Sequence, residues 1–145
     1  PGNKAKIRYY HGIEGLKNVY SDTLIPNSKL YGFIDADKTI ETMGDWIWEY
    51  VEKRVNLNVD YYVIGKPGKW FKYPKIAHED QLRHVKFVEN VKFETEIDVY
   101  SNKVAIYSFK RPYAGVIIED QAIHQTIKSI WQLLWDNLST EGANV

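Results

Sequence analysis

The chain has no cysteine among its 145 residues, which excludes disulfides and thiolate-bound metals and fits a reducing compartment. It also has no excess of either charge, since 19 Lys plus Arg balance 19 Asp plus Glu. A neutral chain lacks the basic face with which a domain grips nucleic acid. No run approaches the roughly 18–20 apolar residues that a membrane span requires, and the N-terminus lacks a signal peptide's apolar region. The reading is therefore a soluble, cytoplasmic protein without a membrane partner. HExxH, GxGxxG, Walker and GxSxG patterns are missing. The four histidines, His11, His78, His84 and His124, lack a zinc-helix spacing, so neither a metal nor a cofactor is expected. Aromatic residues, in contrast, are plentiful at 14%. Tyr and Trp pair a flat apolar face with a hydrogen-bonding edge, which suits sugar stacking and subunit interfaces; exposure of Trp46, Trp48 or Trp135 would favour an interface.

Hydrophobic spacing gives the elements. Lys4 to Tyr10 reads as a strand. Leu16, Val19, Tyr20 and Leu24 then follow helical spacing up to Pro26, with Gly15 read as a close helix-to-sheet contact. A strand over Ser28–Ile34, a helix over about Thr39–Val55 with Met43, Ile47, Tyr50 and Val51 inward, and a strand over Asn58–Ile64 follow. This strand–helix alternation favours parallel pairing. Residues 65–75, GKPGKWFKYPK, read as a surface loop or a lid, in preference to a nucleic-acid strip. A short helix over Ile76–Arg83 and strands over His84–Glu89 and Lys92–Tyr100 come next, the last with Phe93, Thr95, Ile97 and Val99 on one side. A turn at Ser101-Asn102 leads into the hairpin strand Lys103–Ser108, followed by Tyr113–Glu119. Asp120 stands as the N-cap of a final helix whose Ile123, Ile127, Ile130, Trp131, Leu134 and Leu138 make it the expected spine of the core. The fold class is α/β, a mixed sheet flanked by helices, in one domain over 1–138 with a frayed tail over 139–145. Its start, Pro1-Gly2-Asn3-Lys4, reads as a cut from a longer protein.

The spacing Ser101-x-Lys103-x4-Ser108, with Gly115-Val116-x-Ile118 downstream, resembles the HxKx4D and GSxN signature of the phospholipase D superfamily. The lysine and the glycine are kept, and serines stand at the positions of the nucleophilic His and of the Asp. The resemblance implies a phospholipase D-like fold. A serine hydroxyl without a base is a poor nucleophile, so the expectation is no catalytic residue and no enzyme. A second resemblance lies in IRYYHGIEGLKNVYSDTL, NKVAIYSF and GVIIEDQAI running into IWQLLW, which are similar to the C-terminal effector domains of TrmB-like transcriptional regulators. It implies a homodimer that senses a small-molecule effector, such as a sugar, and meets DNA only through an N-terminal winged helix outside this chain. The expected ligand-binding residues are Lys103 with the hydroxyls of Ser101 and Ser108, which would suit a polar or anionic small molecule, together with Asp35, His11 and Glu119 at strand ends. The alternatives are a phosphodiesterase with a noncanonical nucleophile and a dimerisation module without ligand.

Overall fold

The computed structural model describes residues 4–70 and 80–139. In chain order the elements are β1 (Lys6–His11), α1 (Gly12–Asp22), β2 (Lys29–Ile34), α2 (Ala36–Met43), α3 (Trp46–Asn56), β3 (Asp60–Gly65), β4 (Arg83–Phe87), β5 (Thr95–Tyr100), β6 (Lys103–Ser108), β7 (Ala114–Glu119) and α4 (Gln121–Asn137). These strands form one mixed sheet in the order β1-β7-β6-β5-β2-β3-β4. The pairs β2–β3 and β3–β4 are parallel, and the other four are antiparallel. The expected parallel repeat thus holds for β2, β3 and β4, whereas β1 leaves that group and pairs antiparallel with β7 at the far edge.

Helices α1, α2 and α3 cover one face of the sheet, and the principal core lies beneath them. Leu16, Val19 and Tyr20 of α1, Met43 of α2, and Ile47, Tyr50 and Val51 of α3 meet Leu30, Val63, Ala105, Tyr107 and Ile117 from the strands. Two glycines allow α1 to lie close to the sheet. A Cβ on Gly15 would stand 2.8 Å from the Tyr10 carbonyl carbon, and one on Gly115 would stand 2.6 Å from Val19 Cγ2. The packing expected of Gly15 is therefore present. Gly44 breaks the single helix expected over Thr39–Val55 by taking φ +61°, a conformation that costs glycine little, so the chain turns between α2 and α3.

Helix α4 lies on the opposite face, and this corrects its expected place as the core's spine. Asp120 does cap it, accepting from the Ile123 amide at 2.9 Å. Trp131 alone among its residues is fully buried, donating Nε1–H to the Gly32 carbonyl at 2.9 Å. Ile123, Ile130, Leu133 and Leu134 stay exposed, because a single helix crossing β2, β5 and β6 cannot bury its whole apolar stripe. Trp46, Trp48 and Trp135 are only half-buried, and each is packed against other rings, Tyr20 and Tyr50, Trp70, and Trp131 respectively. The expected helix over 76–83 falls partly outside the described residues, and its end, Arg83, opens β4 instead. The aromatic part of the 65–75 loop from Phe71 onward, and the tail after Ser139, also lie outside them.

Gly115→Ala should be destabilising by about 1–3 kcal/mol, the usual range for overpacking, because the added methyl must displace Val19. Urea unfolding at equilibrium checks this, and a midpoint equal to wild type would contradict the close α1 contact.

Candidate functional site

Strand β5 is central and covered on both faces, and it carries two acids inward. Glu96 and Asp98 are 2% and 0% exposed, on the face beneath α1–α3. Tyr20 donates its hydroxyl to Glu96 Oε1 at 2.7 Å, and Thr39 donates to the same oxygen at 3.2 Å. Tyr61 donates to Asp98 Oδ1 at 2.9 Å. Among the described residues, the buried Asp98 Oδ2 and the neighbouring Tyr107 hydroxyl make no well-formed hydrogen bond, although Tyr107 stands close enough to favour the Asp98 carboxylate. Room for this arrangement comes from Gly32, opposite Asp98 on β2, where a Cβ would fall 2.5 Å from both Asp98 Oδ1 and the Tyr61 oxygen. Burial raises the Glu96 pKa well above the ordinary glutamate value, and the adjacent Asp98 charge raises it further. Asp98 is raised by burial too. Both shifts favour the neutral form, so the buried pair resists losing both of its protons.

Beside Glu96 is a cavity of about 60 Å³ between α2–α3 and strands β2, β3 and β4. Its walls are almost wholly apolar, with Leu30, Ile34, Ile47 and Val63 among them; Tyr20, Thr39, Tyr50, Tyr61, Glu96, Arg54 and Arg83 also line it but turn very little polar surface to the space. Arg54, from α3, is 1% exposed and donates to the carbonyls of Val59, Gln81 and Leu82, which ties α3 to the starts of β3 and β4. Arg83, on β4, donates to Gln81 Oε1 at 2.8 Å. Neither guanidinium is in an ion pair among the described residues. Burial and the charge of Arg54 lower the Arg83 pKa to about 10, so it remains a cation at neutral pH. The site is therefore a small apolar cavity set beside buried hydroxyls, the Glu96–Asp98 pair and two arginines. Such a set can hold a small molecule with an apolar body and a few polar atoms.

The six residues expected from the sequence divide between the two ends of the sheet. Lys103, Ser101 and Glu119 lie at one end, with Lys103 and Glu119 paired across β6 and β7. Ser108, His11 and Asp35 lie at the other, Ser108 and His11 both facing Ala114 in register. Five residues of strand separate the ends, about 16 Å. Lys103 Nζ binds Asp22 Oδ2 at 3.0 Å, and the Tyr100 hydroxyl binds the same oxygen at 2.7 Å. Burial alone would raise the Asp22 carboxyl, but those two partners outweigh it and hold it below the ordinary range. Ser101 is exposed in the turn at φ +51°, and Glu119 meets Arg8 at 3.7 Å. Asp35 caps α2 by accepting from the Asp37 amide at 3.1 Å. His124 reaches the Lys103 end from α4, with Nδ1 3.3 Å from the Lys103 carbonyl. Glu96, Asp98, Arg54 and Arg83 were not among the expected residues. The signal for the two acids was the Glu-x-Asp alternation within a strand; nothing in the sequence marked the two arginines.

No family model and no curated protein matches the chain. Solved structures do match. TrmBL2, described as an archaeal chromatin protein with a novel mode of DNA binding, superposes with TM-score 0.66 at 12% identity over 93% of this chain. The chain spans 54% of TrmBL2's length, about half. NUC from Salmonella typhimurium, a phospholipase D family member, gives TM-score 0.64 at 13% identity, covering 94% of this chain and 97% of NUC. NucT from Helicobacter pylori gives 0.65 at 12%, covering 94% and 99%. The fold is phospholipase D-like, a mixed α/β sheet with helices on both faces. These likenesses correct the expectation of a non-enzyme: the architecture, over nearly the whole chain, is that of phospholipase D-type proteins, a family named for its enzyme.

The raised Glu96 pKa has a direction for stability. Between the unfolded value, near 4.5, and the higher folded value, the folded chain binds more protons than the unfolded one. Stability must therefore fall as pH rises through that window, and the Glu96 contribution is fully present only below it. Glu96→Gln, which keeps the size and a donor, is expected to flatten the decline and to raise the urea midpoint on the alkaline side. Unfolding curves across the pH range check both; an unchanged slope would contradict a protonated Glu96.

Proposed function

We propose that the chain is a small-molecule-sensing and dimerising domain of a TrmB-like transcriptional regulator, with contact to DNA supplied by another segment of the full protein. The carrying observation is the cavity beside Glu96, where buried hydroxyls, acids and cations adjoin space that the core leaves unfilled. A core built only for stability favours packed aliphatic groups over partly satisfied polar ones. The shared fold with TrmBL2 supports the regulator class, because this chain spans about half of that DNA-binding protein.

A symmetric pair is supported by the apolar surface on the α4 face. Ile7 and Tyr9 of β1 are 54% and 70% exposed, and they alternate with Tyr10, which packs toward α1, so they lie on the α4 side of the sheet. On the same face, Ile130, Leu133 and Leu134 of α4 are exposed too, and apolar side chains of this kind are what a second copy covers in an isologous contact. Sensing then means a shift between two arrangements of the pair, driven by unequal ligand affinity for each.

A second reading follows from the fold shared with NUC and NucT: hydrolysis of a phosphodiester at the Lys103 end of the sheet, where His124 lies beside the strand. Turnover of bis(p-nitrophenyl) phosphate that Lys103→Ala abolishes would assign that activity. A rate equal to buffer would remove it.

The sensor reading is tested by sedimentation of the purified chain with and without sugars, polyols and small organic acids. The expected result is a dimer whose equilibrium moves with at least one compound, and which Ile130→Glu or Leu134→Glu converts to monomer with unchanged far-UV circular dichroism. A monomer at all concentrations, or a dimer that no compound shifts, would overturn it.

A further inference from the structure

The sheet face that carries α4 has a second seat for a helix. Strand alternation sets two cross-strand rows on it. In the first row Ile7, Ile118, Val104, Val99 and Tyr31 stand in register across β1, β7, β6, β5 and β2. Helix α4 lies along that row, with His124 at Lys103, Trp131 at Gly32 and Trp135 against Tyr62, and it seals Val104 and Val99 beneath it. The second row, Tyr9, Val116, Ile106, Ile97 and Phe33, crosses the same strands about 7 Å further along them. Nothing seals this row: Tyr9 is exposed and its other members are half-buried.

The sides of α4 divide to match. Lys128, whose Nζ lies 4.1 Å from the Tyr31 ring centre, and Trp135 are on the flank toward the tyrosines of the first row. The opposite flank, Ile123, Ile127, Ile130 and Leu134, therefore faces the second row, and its 4-3-4 spacing is that of a seam between two helices. Away from the sheet, opposite Trp131, stand Ala122, Thr126, Ser129 and Leu133, all exposed and uncharged. Between Gln121 and Trp135 the formal charge is Lys128 alone, and it is turned onto Tyr31. The large apolar side chains left exposed among the described residues, Ile7, Tyr9, Ile123, Ile130, Leu133 and Leu134, are all on this face.

We infer that α4 of a second copy occupies the second row, parallel to α4 and flank to flank with it, so that the two helices form one layer between two sheets. This deepens the symmetric pair proposed above and rests on it. The seat and the helix that fits it are on the same chain, as an isologous contact requires. A two-fold axis between the helices brings each flank residue to its own copy, where a charge would repel itself, and this flank has none. Leu133 then meets the partner's second row. The offset of about 7 Å between rows is close to the 8–10 Å between packed helices. Seat, outward side and flank each offer roughly 200 Å² for elements of this length. Each copy thus buries about 600 Å² before its rim is counted, near the ~800 Å² per partner of a standard interface.

The chain has no cysteine, so introduced ones report contacts without background. Under mild oxidation Ile130→Cys is expected to cross-link most of the chain as a disulfide-bonded dimer, and Gln125→Cys, on the other flank, is expected to stay uncross-linked. In a mixture of isotope-labelled and unlabelled wild-type chain, intermolecular NOEs are expected from the Leu133 methyls to those of Ile97, Ile106 or Val116. The wild-type NOEs remain decisive if a cysteine variant fails to fold. Equal cross-linking of the two variants, or no intermolecular NOE to the second row, would overturn the helix layer. Failure of the two readings is separable. Second-row contacts in a pair that no compound shifts sink sensing and leave the layer. A pair that compounds shift but that joins through other residues sinks the layer and leaves sensing.

Discussion

Two carboxyls buried on the middle strand constrain the rest of this protein. Glu96 and Asp98 cannot face solvent, because β5 is paired on both sides and covered on both faces, and burial side by side opposes the ionisation of both. Much of the surrounding sequence answers that constraint. Tyr20 from α1, Thr39 from α2 and Tyr61 from β3 each bring a hydroxyl donor to one of the two acids, so three separate elements are oriented by the same pair. Tyr50 and Thr23, whose hydroxyls bond each other, extend the polar layer toward α3. Gly32 is small because the Asp98–Tyr61 contact occupies the volume its side chain would need. A buried polar set of this kind specifies one arrangement of helices over the sheet more sharply than an aliphatic layer would, since any other leaves a carboxyl bare.

That layer was the part hardest to read from the amino-acid sequence. The alternation over 92–100 located a strand and put Phe93, Thr95, Ile97 and Val99 on one side, but it did not say which side faces the principal core. Polarity separates inside from outside only where one face meets water, and β5 has no such face. The lone Gly44 was passed over for a related reason: the apolar spacing of Met43, Ile47, Tyr50 and Val51 runs on across it, although the backbone reverses there. Local signals fared better. Asp120 as a cap, Gly15 as a contact point and the Ser101-Asn102 turn each depend on a few neighbouring residues, and each stands as read.

The stripe on α4 was legible as helix and not as position. Its spacing said that one side is apolar, and nothing in the spacing said whether the sheet or a second molecule covers it. In the structure the division is visible along the helix: Trp131 and Trp135 lie on the ring cluster of Tyr31 and Tyr62, while Ile130, Leu133 and Leu134 face outward. Lys86 fixes the helix end by donating to the Trp135 carbonyl at 2.9 Å, where a cation also meets the negative end of the helix dipole. The expected ligand residues suffered from the same missing dimension. Lys103 and Ser108 sit five residues apart on one strand, which a sequence motif treats as neighbours and an extended backbone holds about 16 Å apart.

The cavity and the α4 surface lie on opposite faces, yet they share strands. Gly32 has Asp98 and Tyr61 beside it on one face and receives the Trp131 indole through its carbonyl. Tyr61 lines the cavity, and the next residue, Tyr62, stacks on His84 and meets Trp135 edge-on. A displacement of β2 or β3 by an occupant would therefore reach α4 through one residue of backbone. Energy limits what such an occupant can do. The best very small ligands gain about 1.5 kcal/mol per heavy atom, and a cavity of about 60 Å³ has room for only about two waters, so an occupant confined to it has no more than roughly 3 kcal/mol in total. Reversing an equilibrium from 1:99 to 99:1 takes about 5.5 kcal/mol of difference between the two states. That is more than such an occupant has to give. A sensor built on this cavity must instead hold its two arrangements nearly balanced beforehand.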